Sequence, residues 1–112
     1  MPTLDATFAA LADPTRRAIL ARLALGEATV MELAAPFHMS QPAVSRHLKV
    51  LEGAGLIVRR AEGTKRPCRL AADGIAPIDQ WLDMLREAFT RNYDRLDELL
   101  VTMQSQDKKD PP

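Results

Sequence analysis

Cysteine is almost absent from the chain, and this scarcity limits how the protein can be stabilised. Cys68 is the only cysteine among 112 residues, so no intrachain disulfide can form, and a lone thiol is typical of a reducing compartment. The sequence also lacks a run of about 18 apolar residues, the length that a membrane-spanning helix needs. Its N-terminus lacks the basic and apolar regions of a signal peptide. We therefore expect a cytoplasmic protein.

The chain also has no net charge, because its 15 basic and 15 acidic side chains balance each other. Neutrality at first argues against nucleic acid as a partner. The charges are nevertheless unevenly distributed along the chain. Residues 40–70 carry seven basic and two acidic side chains, a net charge of +5, whereas residues 71–112 carry five basic and nine acidic ones, a net charge of −4. Such asymmetry orients a protein on a polyanion through one face.

The chain lacks the groupings of side chains that enzymes use. No nucleophile–base pair, Gly-rich phosphate loop or paired-carboxylate cleft can be assembled from the sequence. We therefore expect neither an enzyme nor a bound cofactor.

The length and composition predict one globular domain. A chain of 112 residues with 46% apolar content is long enough for a single modest core. We expect the domain to span residues 1–103. The segment 104–112 is polar, ends in two prolines and is expected to be a disordered tail.

A short helix is predicted between Ser40 and Gly55, and the rest of the chain is organised around it. Ser40 is a good N-cap, and Gly55 is a natural left-handed stop. At 100° per residue, Val44, Leu48 and Leu51 share one face, which predicts that this face is buried.

The opposite face of this helix is polar and cationic. It carries Pro42, Ser45, Arg46 and Lys49, with Gln41 at its edge. A helix with such a face fits the major groove of DNA. An ordinary solvated amphipathic helix is the alternative, and the neighbouring segments decide between the two.

Two helices are predicted at the start of the chain. Asp13 and Pro14 form an N-cap and N1 pair that begins the second helix, which runs to about Leu25 with Arg16 in solvent. Thr3 can cap the first helix, whose apolar stripe consists of Leu4, Phe8 and Leu11.

A third helix is predicted directly before the cationic one. Thr29 and Glu32 have the spacing of a capping box, and Pro36 keeps the helix brief. About four residues, including His38 as a turn residue, then lead into Ser40. Two compact helices joined in this way predict a helix-turn-helix.

A β-hairpin is predicted after the cationic helix, from strand-like runs at residues 56–61 and 66–70. Pro67 marks the second strand as an edge. Lys65 and Arg66 lie near the tip, where long cations can reach phosphates or a minor groove. A basic hairpin after a basic helix is typical of a wing.

A long last helix is predicted from about Ala76 to Met103, with apolar residues at steps of three and four. It would be about 40 Å long, whereas a body of about 70 residues has a radius of gyration near 11 Å and cannot cover it. We therefore expect a two-fold homodimer through the first and last helices. The candidate interface residues are Leu4, Phe8, Leu11, Trp81, Leu82, Leu85, Phe89, Tyr93 and Leu96.

The predicted fold class is mainly α with a small β-hairpin, a winged helix-turn-helix in the order α-α-α-α-β-β-α. Four segments within this predicted fold resemble the ArsR family of bacterial winged-helix repressors. They are LADPTRRAIL at residues 11–20, ELA at 32–34, SQPAVSRHLKVLE at 40–52 and GLI at 55–57. The resemblance covers about residues 5–71, and its Ser-Gln-Pro…Ser-Arg-His-Leu core is specific to the family.

The resemblance implies a homodimeric repressor that binds an imperfect inverted repeat of double-stranded DNA in a promoter. Base contacts would come from Gln41, Ser45 and Arg46. The other DNA-binding candidates would lie nearer the phosphates, and they are Ser40, His47, Lys49, Lys65 and Arg66. The family also leaves room for a small-molecule effector, which the sequence does not identify.

The alternative is a dimeric winged-helix adaptor that binds proteins and does not read DNA. Such an adaptor has no reason to gather cations on both the helix and the hairpin, so the net charge of +5 favours the regulator.

The chain departs from the metal-sensing members of the family. Thr29 and Met31 stand where those members have the two cysteines of a Glu-Leu-Cys-Val-Cys-Asp-Leu signature, so we expect no soft-metal site. Asp79, Asp83 and Glu87 form a carboxylate row on the last helix without histidine, and a solvated face is favoured over a metal site.

Several side chains have two interpretations. Cys68 is either a redox sensor or a small buried strand residue, and the second is favoured. His47 either bonds a phosphate or lies against the core, and the first is favoured by the resemblance. Trp81 and Tyr93 either line an effector pocket or, as aromatic residues at helical spacing usually do, pack in the interface.

Overall fold

The computed structural model describes residues 3–62 and 65–109, which form five helices and a two-stranded antiparallel sheet. The helices are α1 (Leu4–Leu11), α2 (Pro14–Leu23), α3 (Val30–Phe37), α4 (Gln41–Gly53) and α5 (Ala76–Lys109). The strands are β1 (Ile57–Arg59) and β2 (Cys68–Leu70), between α4 and α5. The predicted order of elements is confirmed. None of the described helices combines the length and the hydropathy that crossing a bilayer demands.

The chain divides into an N-terminal unit, Met1–Ile78, and a C-terminal unit, Asp79–Pro112. The core of the N-terminal unit is formed by apolar side chains of all four of its helices and of the strands. Val44, Leu48 and Leu51 are all fully buried in it, which confirms the predicted inner face of α4. Ile19 of α2 and Leu33 of α3 are buried beside them.

The predicted N-caps of α2 and α4 are confirmed. The Asp13 carboxylate accepts hydrogen bonds from the N–H groups of Thr15 at 2.8 Å and Arg16 at 3.1 Å. The Ser40 hydroxyl accepts one from the N–H of Ala43 at 3.3 Å. Because each cap satisfies an N–H that the first turn leaves unpaired, it fixes where the helix begins.

The caps of α1 and α3 are confirmed as well. Thr3 accepts a hydrogen bond from the N–H of Ala6 at 3.1 Å. Thr29 and Glu32 form a reciprocal capping box, in which each side chain accepts from the backbone N–H of the other at 3.3 Å. His38 follows α3 with a left-handed φ of 53°, so its predicted place in the turn is confirmed.

Two helix ends differ from the prediction. Helix α2 ends at Leu23 rather than Leu25, since the Leu25 side chain is 86% exposed and gives a further turn nothing to pack against. Helix α5 continues to Lys109, beyond Met103. No glycine or proline stands between 78 and 110 to stop it, so the described part of the expected tail is helical. Residues 110–112 lie outside the described residues.

The hairpin is shorter than predicted, with three residues in each strand and Arg59 paired with Cys68. Cys68 also exchanges backbone hydrogen bonds with Ala28, at 2.8 and 3.1 Å. The interpretation of the second strand as an edge is therefore wrong at Cys68. Pro67 precedes this bridge and removes none of its donors. The turn residues 63–64 lie outside the described residues.

The charge of Asp13 should make stability depend on pH. Hydrogen bonds from the N–H groups of Arg16 and then Thr15 hold the pKa of the Asp13 carboxyl below its ordinary value of 3.8. The resulting stabilisation is present above that value and is lost as the pH falls through the lower pKa of the folded state. Asp13→Asn keeps the cap without the charge, so we expect it to flatten the loss of stability between roughly pH 5 and 2.

Chemical denaturation across that range measures this difference. Asp13→Ala, which removes the cap as well, should lower the stability at every pH. Parallel pH profiles for the wild type and Asp13→Asn would contradict this role of the charge.

Candidate nucleic-acid interface

The predicted binding residues on the outer face of α4 differ in their exposure to solvent. Because Val44, Leu48 and Leu51 are buried, the helix must turn its polar side outward. Among the predicted binding residues, Ser40, Gln41, Arg46 and Lys49 are exposed. Ser45 and His47 are half-buried at the border of this face.

Arg46 is exposed on the outer face of α4. Its Nε donates to the carbonyl oxygen of Pro42 at 3.5 Å, which lays the side chain along the first turn of α4. The two terminal nitrogens of Arg46 have no protein partner within residues 3–62 and 65–109. They can therefore form the two parallel hydrogen bonds by which arginine recognises guanine.

Arg16 of α2 joins α1 to α4, so the prediction that it lies in solvent is wrong. Its side chain is only 17% exposed. Its Nε donates to the carbonyl of Ala10 at 2.7 Å, and Nη2 donates to that of Ala9 at 3.1 Å. Its Nη1 lies 3.4 Å from Nδ1 of His47. His47 therefore has one ring nitrogen toward a protein partner and remains half-exposed.

Arg59 of β1 supports α4 from the hairpin side. Its Nη2 donates to the carbonyl oxygen of Ser45 at 3.4 Å. Its Nε is buried and has no hydrogen-bond partner in the part of the chain that the structure describes. The guanidinium thus links the first strand to the middle of α4.

Cys68 fits the interpretation as a buried strand residue. Its side chain is fully buried, and burial raises the pKa of its thiol. The thiol points toward the carbonyl oxygen of Arg66, with Sγ at 3.6 Å. A neutral, enclosed thiol is a poor nucleophile, so this environment disfavours the redox interpretation.

The base of the hairpin contains a cation that is already paired. Nη2 of Arg60 lies 3.2 Å from Glu27 and 3.1 Å from Glu62. By contrast, Lys65 and Arg66 are exposed and have no ion pair among the described residues. The sequence pattern alone could not separate these three cations, because Glu27 is 33 residues from Arg60.

The positions that the resemblance aligns with metal-binding cysteines have other roles here. The Thr29 hydroxyl belongs to the capping box, and Met31 is 67% exposed. On α5, Asp83 accepts a hydrogen bond from Arg86 at 2.7 Å. Over the ranges described, no three His, Cys, Asp or Glu side chains converge.

The candidate interface residues lie on two helices. On α1, Leu11 packs against the core of the N-terminal unit, Leu4 is half-buried and Phe8 is 37% exposed. On α5, Leu82 and Leu85 are half-buried. The remaining candidates on α5 are exposed, and they are Trp81, Phe89, Tyr93 and Leu96.

The chain is similar to a known family of bacterial regulators. The model of bacterial regulatory proteins of the arsR family matches residues 13–58, which span α2 to β1. The HTH-type transcriptional regulator Rv2034 of Mycobacterium tuberculosis is 49% identical over 79 residues, which are 70% of this chain and 74% of that protein.

Solved structures agree with this similarity. A crystal structure of an ArsR family transcriptional regulator is 41% identical, with a TM-score of 0.73, and the match covers 78% of this chain and 96% of that one. A solution structure from Mycobacterium bovis is 30% identical, with a TM-score of 0.62, over 75% of this chain and 78% of that one. It is described as the homodimeric winged helix-turn-helix DNA-binding domain of a possible ArsR-family regulator.

These similarities confirm the predicted family and fold, and they confirm a regulator rather than an enzyme. The chain belongs to the ArsR family and is a winged helix-turn-helix transcriptional regulator.

Proposed function

We propose that the protein is a homodimeric repressor that binds an inverted repeat of double-stranded DNA in a promoter. The observation that carries this proposal is the outer face of α4, where exposed cations and the amide of Gln41 lie opposite a fully buried aliphatic row. A rigid helix of this kind can enter a major groove without losing any of its own packing. Because the proposed partner is promoter DNA, we also propose that the protein acts in the cytoplasm.

The contacts divide into those that read bases and those that hold phosphates. Gln41, Ser45 and Arg46 supply the base contacts, because amide, hydroxyl and guanidinium groups match base edges. The phosphate contacts come from Ser40, His47, Lys49, Lys65 and Arg66. This division predicts specificity from the first two turns of α4 and sequence-independent affinity from the rest.

The homodimer is supported by the exposed apolar side chains of α5. Phe89, Tyr93 and Leu96 are 58, 67 and 50% exposed, and large apolar residues at helical spacing rarely remain in water. The homodimeric relative from Mycobacterium bovis gives the same assembly for a protein of this fold. A two-fold axis then sets the half-sites about one helical turn, or a multiple, apart. The dimer represses by occupying the promoter.

Removing Arg46 should weaken the binding of the cognate site and relax its specificity. We expect Arg46→Ala to cost about 1–3 kcal/mol of binding free energy, because a two-pronged contact with a base is lost. Competition between the cognate site and single-base variants measures both effects. Arg91→Ala on α5 is the matched control, since it removes the same charge from outside the proposed interface. Unchanged affinity and preference in Arg46→Ala would mean that α4 does not read the bases.

Removing a wing cation should have a different signature. We expect Lys65→Ala or Arg66→Ala to weaken the binding of every sequence alike and to reduce the salt slope by about 1 for each cation. Titration at several salt concentrations measures this slope, again beside Arg91→Ala. A loss confined to the cognate site would instead assign these residues to base recognition.

A charge placed in the apolar row of α5 should separate the protomers. Burial of a leucine side chain contributes about 1.5–3 kcal/mol, and a buried aspartate adds an unpaired charge. We therefore expect Leu96→Asp to sediment as a monomer under conditions where the wild type is a dimer. Arg91→Asp, which introduces the same side chain on the opposite face, should remain dimeric. A wild type that is monomeric at micromolar concentration refutes the assembly.

A further inference from the structure

The hydrogen-bond chemistry of Arg16 determines which nitrogen of His47 carries the proton. A guanidinium group has donors and no acceptor. Nη1 of Arg16 therefore donates to Nδ1 of His47, at 3.4 Å, and Nδ1 must be the unprotonated nitrogen. In a neutral imidazole with an unprotonated Nδ1, the proton is on Nε2.

The other contacts of Arg16 hold its guanidinium in place. Nε and Nη2 bind the carbonyl oxygens of Ala10 and Ala9 in the last turn of α1, where the helix dipole favours a cation. The Asp13 carboxylate lies 3.7 Å from Nη1. With 17% of its side chain exposed, Arg16 has little freedom to release His47.

The second ring nitrogen of His47 is open to a ligand. Nε2 has no hydrogen-bond partner within residues 3–62 and 65–109, and it is not among the buried unsatisfied atoms there. The ring lies one residue after Arg46, at the border of the cationic face. An Nε2–H group in this position can donate to an oxygen of an anion that binds α4.

We propose that Arg16 is a positioning residue for DNA binding, which fixes His47 as the Nε2–H tautomer so that the imidazole donates to a backbone phosphate. This inference rests on the proposed function, since the phosphate belongs to the operator. It also connects α1, one of the proposed dimerisation helices, to a phosphate contact on α4 through one side chain.

Nitrogen-15 NMR of the histidine ring in the DNA-free full-length protein tests the first half of this proposal. At a pH about two units above the ordinary imidazole pKa of ~6.5, we expect the Nε2–H tautomer alone in the wild type. Arg16→Gln should give a mixture of tautomers. Arg17→Gln is the matched control, because Arg17 also donates to a carbonyl of α1, that of Leu11 at 2.7 Å, but does not contact His47.

DNA titration of the same variants tests the second half. We expect Arg16→Gln to lose about two- to tenfold more affinity than Arg17→Gln, the size of one hydrogen bond. Thermal melting of both variants shows whether the fold is retained.

Two substitutions of His47 keep the test independent of Arg16. The longer amide of His47→Gln can place a donor near the position of Nε2, whereas the shorter amide of His47→Asn lies near the position of Nδ1 and does not reach that of Nε2. We therefore expect His47→Gln to bind DNA more tightly than His47→Asn. The reverse order would overturn the phosphate contact.

The outcomes separate this inference from the proposed function. An unchanged tautomer in Arg16→Gln overturns the inference, and so does equal DNA affinity of Arg16→Gln and Arg17→Gln. If Arg46→Ala still loses specificity in either case, the proposed function stands. If the wild type shows no preference for promoter DNA while the tautomer responds to Arg16, the proposed function fails and the contact between Arg16 and His47 stands.

Discussion

Burial of Val44, Leu48 and Leu51 determines which side of α4 faces outward. All three side chains are fully enclosed, and a rotation of the helix by one residue would place an aliphatic side chain in water and move a cation toward the core. The exposed aliphatic side chain would lose its burial free energy, and the unpaired buried charge would add a larger cost. The polar side chains therefore acquire their common direction from the core.

Electrostatics then sorts the cations of the N-terminal unit into two groups. Arg16 and Arg60 are committed to protein partners, the first to carbonyls of α1 and the second to Glu27 and Glu62. Arg46, Lys49 and the cations after the hairpin turn are exposed. Arg16 and Arg60 each have carboxylate partners, Asp13 for the first and Glu27 and Glu62 for the second. A chain with zero net charge can thus bind a polyanion, because its exposed cations lie together on one face.

The features that were predictable from the sequence are those that depend on neighbouring residues. The caps at Asp13 and Ser40 and the buried row of α4 each need only one turn of helix, so local spacing reveals them. The contact of Arg16 with His47 spans 31 residues, and the bridge of Ala28 with Cys68 spans 40 positions of the sequence. Neither has a periodic signal, since long-range contacts arise only when the core brings helices and strands together. The last residues of α5 are polar but contain no helix breaker, so polarity alone does not indicate where this helix ends.

The most direct test is titration of the wild-type protein against its own upstream DNA. It shows whether the cationic face of α4 and the hairpin bind double-stranded DNA. The measurement uses two salt concentrations and an excess of bulk competitor DNA. Tighter binding of the upstream fragment than of the competitor, with affinity that falls as salt rises, is the expected result. Equal binding of the two DNAs at both salt concentrations would contradict sequence-specific recognition by this face.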